Sequence, residues 1–262
     1  MALSVVIITR NEESNIGRTL ASVAWADERI VVDSGSIDRT LEIARRQGAN
    51  VYEESWKGYA QQKNSAIAKA SADWILSLDA DEEVSAQLAE SIRRVVGNAK
   101  SNVDGYFIAR RNLFLGRWIR HGGFYPDHKL RLFRSGNGEF VERAVHETMR
   151  VDGRTAVLEG DLIHNAYPTL TAYIETMNRY SSLGADVAMQ RGQVSQALPS
   201  FLWNIHIRPT LNFIWNYLFR AGFLDGKEGF LLHLYHRGYV SWKYAKAWEA
   251  ARKAAIGIGD KQ

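Results

Sequence analysis

Cysteine is absent from all 262 residues. Disulfides and thiolate metal centres are therefore excluded, and the composition is compatible with a reducing compartment. Also missing is any apolar run of about 18 residues, the length a membrane-spanning helix needs. No GxGxxG or Walker-type glycine loop occurs, which argues against dinucleotide-binding and P-loop readings. Tandem repeats and low-complexity linkers are lacking too. The opening stretch MALSVVIITRNEE has no basic region ahead of its apolar run, and the run is too short for a signal peptide. It reads as a first buried strand.

What is present suits one good-sized domain, or a domain with an appendage: 46% of residues are hydrophobic. The net charge of +4 is unevenly placed. Residues 198–262 carry nine Lys/Arg against four Asp/Glu, leaving the rest of the chain close to neutral. Half of the eight tryptophans, Trp203, Trp215, Trp242 and Trp248, lie in that basic tail. Such an asymmetry asks for a partner.

Strands alternate with helices over the first hundred residues. The pattern predicts strands at 4–9, 28–34, 50–53 and 73–78. Helices are predicted from Ile16, from an N-cap at Asp38, over 59–70 and over 84–96. This rhythm implies a parallel sheet with helices on both faces. From residue 103 the reading becomes mixed and partly antiparallel, with strands at 106–111, 129–134 and 155–163. From Thr169 onward the chain reads as helical. In a parallel sheet, ligands bind beyond the carboxyl ends of the strands. Three polar clusters fall there: Thr9-Arg10-Asn11-Glu12-Glu13, Asp33-Ser34-Gly35-Ser36 and Asp79-Ala80-Asp81.

The last cluster sits in LSLDADEE, four carboxylates within five positions. In an extended segment, Asp79 and Asp81 point the same way. They then repel unless a cation lies between them, and Mg²⁺ or Mn²⁺ bridging carboxylates to phosphates is one such cation. Glu82 and Glu83 have a simpler reading as acidic residues favouring the dipole of the next helix. Asp33 is suited to accept hydrogen bonds from a base or ribose, although Asp-Ser-Gly-Ser is also turn chemistry.

TRNEE, VVDSGSIDRT, GYAQQKNSAI and LSLDADEE, in this order and spacing, resemble the inverting family-2 glycosyltransferases with the GT-A fold. FYPDHKLRLFR, AVHE and LIHNAYPTLTAYI resemble the subgroup containing the lipopolysaccharide-core heptose β-1,4-glucosyltransferases of Gram-negative bacteria. The similarity covers roughly residues 4–180, and the tail in general character. Ile37 departs from the usual Thr in the SGSTD turn and faces no obvious chemistry. The resemblance implies an α/β, Rossmann-like, mostly parallel sheet over residues 1–168. Its nucleotide half would end near 100, and a helical appendage would span 169–262. It implies that Thr9, Asn11 and Glu13 line the nucleotide pocket and that Asp33 binds the base, with Lys63 nearby. Asp79 would approach the ribose or metal, and Asp81 would hold a divalent metal, Mn²⁺ or Mg²⁺, on the diphosphate.

An inverting transfer needs one base for the acceptor hydroxyl. Glu147, beside His146, is the candidate by resemblance, with Asp127 as the alternative base or an acceptor residue. His164 is a further candidate metal ligand, or a structural histidine. Tyr125, Arg131 and Arg134 are candidate acceptor or phosphate contacts, and a solvated strand face explains the arginines equally well. The aromatic, cationic tail suits a membrane interface, or packing against the catalytic domain or another subunit; no nucleic-acid module is recognisable.

The expectation is a metal-dependent enzyme moving a hexose, from UDP-glucose, to a lipid-linked acceptor such as the lipopolysaccharide inner core. It would sit peripherally on the cytoplasmic face of the inner membrane, with an oligomer possible. Polyprenyl phosphate is the rival acceptor, and a non-catalytic membrane-associated scaffold is the rival of another class.

Overall fold

In the computed structural model, which describes residues 1–142 and 147–256, the first strand explains why the chain opens so apolar. β1 (Leu3–Thr9) is buried along nearly its whole length, with Val5 and Ile7 in one hydrophobic cluster and Val6 in another. Alternate side chains point to opposite faces. Both faces are covered, so the strand needs a continuous apolar run. β2 (Glu28–Asp33) and β4 (Trp74–Asp79) flank β1 in parallel, and β3 (Asn50–Glu53) adds to β2. The connections carry α1 (Ile16–Ser22), α2 (Thr40–Arg46) and α3 (Tyr59–Ile67). Ile16 and Leu20 of α1 join the first cluster; Ala60 and Ala66 of α3 join the second.

Beyond β4 the pairing turns antiparallel. The chain continues through β5 (Glu82–Val84), α4 (Ala86–Gly97), β6 (Gly105–Phe114), β7 (Arg117–Trp118), β8 (Asp127–Arg134) and β11 (Thr155–Tyr167). The sheet order is β3-β2-β1-β4-β8-β6-β11-β5, with β7 paired to β6. β9 (Gly138–Val141) and β10 (Thr148–Val151) pair in a separate small sheet. The expected α/β class, with its mixed second half, is present.

Two local readings are corrected. Residues 82–84 do not begin a helix. They form β5, because β11 offers them a strand to pair with: Leu162, Ile163 and His164 lie opposite Val84, Glu83 and Glu82. α4 starts two residues later, with the Ser85 hydroxyl accepting from the Leu88 amide at 3.3 Å. Asp38 is not an N-cap either; Arg39 holds that position, and the Asp38 carboxylate accepts from the Thr40 amide at 3.0 Å. β11 passes α4 closely at Gly160, whose φ is +94° and whose absent Cβ would lie 2.5 Å from the Leu88 nitrogen.

The chain divides into two compact units: Met1–Asn112 with Pro126–Asn165, and Leu113–Tyr125 with Ala166–Gln262. In the second, α5 (Leu170–Gln190) packs along α8 (Gly226–Ile256). Tyr173, Met177 and Leu232 meet Phe114 and Ile119 in one cluster; Ala185 and Ala188 meet Val240, Tyr244 and Ala247 in another. A helical stretch lies between these two helices in sequence. It comprises α6 (Leu198–Leu202), a π turn (Trp203–Ile207), α7 (Arg208–Ile214) and a second π turn (Trp215–Phe219). Pro209 has no N–H to offer the Ile205 carbonyl; Ser241 Oγ of α8 bonds that carbonyl instead, at 2.8 Å.

Trp203, Ile207, Leu211, Trp215 and Phe219 recur at every fourth residue and are 41% to 71% exposed. In a pure α-helix each such step overshoots a turn by about 40°. The wider π turns offset that drift, and the five side chains form one exposed apolar row. No helix among the described residues is long and apolar enough to cross a membrane.

Gly160→Ala is expected to destabilise the protein by about 2 kcal/mol through the clash with α4. Gly97→Ala, where an added Cβ meets nothing within 4 Å, is expected to stay within about 0.5 kcal/mol of wild type. Denaturant unfolding of the two variants checks this.

Candidate functional site

Parallel register brings three strand ends level. Thr9 lies opposite Asp33, and Ile8 opposite Asp79. Asp33 is fully buried; its Oδ2 accepts from the Gly35 and Ser36 amides, both at 2.8 Å, and its Oδ1 from the Ser36 hydroxyl. The turn chemistry in its sequence thus occupies both oxygens. Asn11, at φ 54°, accepts from the Ile37 amide at 2.9 Å and donates its own amide to Ser36 Oγ at 2.8 Å. Glu13 faces Arg39, accepting from its amide at 3.1 Å. Thr9 Oγ1 is buried with no hydrogen-bond partner among the described residues.

From the end of β4 a series of charged contacts runs through this unit. Asp79 meets Lys63 at 2.8 Å through one oxygen and Arg131 through the other. Lys63 also reaches Glu147 at 2.8 Å. Arg131 continues to Glu82 at 2.7 Å, and Arg110 shares the same Glu82 oxygen at 3.3 Å. The second Glu82 oxygen accepts from the Asp79 amide at 3.0 Å. Arg110 grips Asp127 through Nε at 3.0 Å and Nη2 at 2.6 Å, while Lys129 takes the other carboxylate oxygen at 2.9 Å. Asn112 Nδ2 donates to Asp127 at 3.5 Å, and its Oδ1 accepts from His164 Nδ1 at 2.7 Å. His164 Nε2 ends the series 3.3 Å from Asp81. Both candidate bases are thereby joined to the Asp79–Asp81 segment.

The electrostatics follow from these partners. Burial pushes the Asp79 carboxyl up, but Arg131 and Lys63 outweigh it and hold the group well below the usual range. Against its own burial, Asp127 is drawn down to about 2 by Arg110 and Lys129. Glu147 is lowered by Lys63 against burial and the charge of Asp79. Burial alone would depress His164; the hydrogen bond and charge of Asp81 raise it instead. Glu12 goes the other way. Burial raises it, a hydrogen bond from Asn15 offsets part of that, and the charges of Asp81, Asp38 and Asp79 add to the rise.

Several expectations change. Glu82 does not serve a helix dipole: it is a fully buried carboxylate on β5, tolerated there because two arginines close on it. Glu83 pairs instead with Arg18 at 3.7 Å. Asp79 and Asp81 also have protein partners from distant segments, Lys63 and Arg131 for Asp79 and the His164 imidazole for Asp81. Arg131 is buried and binds Asp79 and Glu82 rather than lying on a solvated strand face. Arg134 is not at the strand ends. It pairs in register with Trp74 at the opposite end of β4, stacks on that indole at 4.6 Å and donates to the Ser101 carbonyl at 2.9 Å. Tyr125 belongs to the second unit, its ring edge-on to Trp118 at 5.0 Å. His146 lies outside the described residues. Arg110 and Asn112 were not singled out by sequence reasoning, because their partners come from far along the chain. Glu12 was noted only within the first strand-end cluster, and Glu82 only as an acid before a helix.

Among the described residues, no three His, Asp or Glu side chains gather as a metal site. Asp81 and His164 are the pair with suitable donors: a carboxylate, and an imidazole whose far nitrogen is fixed by Asn112.

Residues 4–153 match the family described as glycosyl transferase family 2. The chain belongs to that family and is a glycosyltransferase. It is 28% identical to the lipopolysaccharide core biosynthesis glycosyltransferase LpsC of Rhizobium meliloti, covering 99% of this chain and 97% of the relative. With the uncharacterized glycosyltransferase RT0209 of Rickettsia typhi it shares 31% identity, over 87% of this chain and 80% of that one. Among solved structures, S. aureus TarS 1-349 in complex with UDP is similar over 97% of this chain and 92% of that one, at TM-score 0.47 and 17% identity.

Glu82→Leu leaves Arg131 and Arg110 buried without their shared carboxylate and is expected to cost about 3–5 kcal/mol in denaturant unfolding. The Asp127 pairing is a pH-dependent stabiliser. Its folded pKa of about 2 lies below the ordinary 3.8. Its contribution, about 2 kcal/mol, is therefore complete above roughly pH 4 and is lost as pH falls through the folded value. Asp127→Asn is expected to flatten the stability profile between about pH 4 and pH 2, as read by thermal unfolding across that range.

Proposed function

We propose that this glycosyltransferase moves a hexose, glucose from UDP-glucose, with inversion to a hydroxyl of a lipid-linked saccharide, the heptose of a lipopolysaccharide inner core. One observation carries the reading: both candidate bases lie in the same charge series as the Asp79–Asp81 segment, which leaves the end of a parallel strand. The name of the Rhizobium meliloti relative, matched along nearly the whole chain, supports the acceptor class.

In the reaction, the acceptor oxygen attacks the anomeric carbon while its proton passes to a carboxylate. The bond to the diphosphate breaks, and its electron pair leaves with UDP. Glu147 suits the base role. Among the described residues it meets one cation, Lys63, whereas Asp127 is gripped by Arg110 and Lys129, which make it a weaker base. Lys63 also ties the base to Asp79 and so fixes where its carboxylate points. Asp127 then orients the acceptor. Thr9, Asn11, Glu13 and Asp33 line the nucleotide, the last by shaping its turn.

A divalent ion, Mn²⁺ or Mg²⁺, fits at Asp81 and His164, because such ions take one or two protein ligands and complete their shell with phosphates and water. When bound it offsets charge on the departing diphosphate. Asp79, with both oxygens given to Lys63 and Arg131, is assigned to holding these cations near the donor instead. The exposed row from Trp203 to Phe219, rich in Trp and free of acids, supports peripheral contact with the inner membrane from its cytoplasmic side.

Incubation with UDP-glucose, other UDP- and GDP-sugars, Mn²⁺ or Mg²⁺ and a heptose-terminated core acceptor is expected to yield one added hexose. Glu147→Gln is expected to lower kcat by about 10²–10⁴ with little change in KM. A larger kcat loss in Asp127→Asn moves the base to Asp127. Neither transfer nor nucleotide binding under any of these conditions overturns the proposal.

A further inference from the structure

Within the second unit, a cleft of about 620 Å³ opens beside α5, α6, the first π turn and α8. This is the size of a small-molecule site. Phe201, Ile205, Trp242 and Trp248 form apolar walls. Phe201 and Trp248 meet edge to face at 5.2 Å, which fixes one wall. The polar side centres on Lys246. Its ammonium lies 2.6 to 2.9 Å from two oxygens of Asn178 and the hydroxyls of Ser181 and Ser182. All four are neutral acceptors. Two carboxylates, Glu175 and Glu249, also line the cleft, both on exposed residues; Glu249 is paired with Lys253 at 3.1 Å, and its charge also acts on Lys246. Among the described residues no carboxylate forms an ion pair with Lys246.

An apolar slot ending at a cation that only neutral oxygens hold matches one ligand chemistry: a hydrocarbon chain with an anionic head. The adjoining surface identifies its source. Phe201 and Ile205 reach the cleft from the same helical stretch that exposes Leu198, Leu202, Trp203 and Ile207. Residues 198–224 contain two arginines and no Asp or Glu. An apolar face with positive and no negative charge complements an anionic bilayer surface. We infer that the cleft takes one acyl chain of an anionic phospholipid, with the phosphate at Lys246, and so anchors this unit to the bilayer. The inference rests on the membrane-contact part of the proposed function and is independent of the transfer chemistry.

The test titrates the full chain with lysophosphatidylglycerol carrying a brominated acyl chain, below its micelle concentration, and follows indole fluorescence. Saturable quenching is expected, with a smaller amplitude in Trp248→Phe. Ala245→Phe and Ile205→Trp, which fill the cleft, and Lys246→Gln, which removes the cation, are each expected to weaken apparent binding about tenfold or more. Thermal unfolding of each variant identifies any that fails to fold, and the remaining ones decide. Quenching that never saturates, or folded cleft-filling variants that bind as wild type, overturns the inference. Flotation on phosphatidylglycerol vesicles separates the two readings. Wild type that floats without saturable quenching overturns the cleft alone. Saturable quenching without flotation overturns the anchoring role and the membrane contact.

Discussion

Glu82 has no exposed surface, and burying its carboxylate is tolerable only because Arg131 and Arg110 close on it from β8 and β6. That contact fixes much else. Arg131 reaches back to Asp79, so the end of β4 is held at a set charge and position. Arg110 reaches on to Asp127. The Asp79 amide is bonded by the same Glu82. The contacts continue from Glu147 to Asp81, while Arg131 Nε stays buried with no hydrogen-bond partner among the described residues. The series also brings together the groups that the proposed function uses: a carboxylate for the acceptor proton, cations for a diphosphate, and an Asp–His pair with donors for a metal.

Local periodicity made most of the first hundred residues legible. The continuous apolar run of β1 and the helical spacing of Ile16 and Leu20 are properties of short segments, and each element needed only its own pattern to be read. The boundaries moved where a distant strand intervened. Residues 82–84 look like the acidic start of a helix, and they are a strand because β11, some eighty residues later, pairs with them. The resemblance carried by TRNEE, VVDSGSIDRT and LSLDADEE led to the family, and the match over residues 4–153 agrees with it.

Side-chain partnership was much less legible. Lys63 on α3 was noted near the nucleotide, yet its contact with Glu147 spans 84 positions in sequence. Arg131 and Arg134 looked equivalent in KLRLFR. The antiparallel register separates them: Arg131 reaches the acidic cluster, and Arg134 lies level with Trp74. In the tail, the four tryptophans read as one interfacial feature. They divide instead, with Trp203 and Trp215 exposed on the row and Trp242 and Trp248 lining the cleft.

By itself the sequence determined the α/β rhythm, the placing of polar clusters at strand ends, the absence of thiol chemistry and the charge asymmetry of the tail. All of these depend on residue type and short-range spacing. Only the tertiary structure decided which groups partner the four carboxylates of LSLDADEE. Asp79 is answered by Lys63 and Arg131, Asp81 by His164, Glu82 by Arg131 and Arg110, and Glu83 by Arg18. Charge pairing acts over a few ångströms in space, and strand register, not distance along the chain, sets which charges come that close.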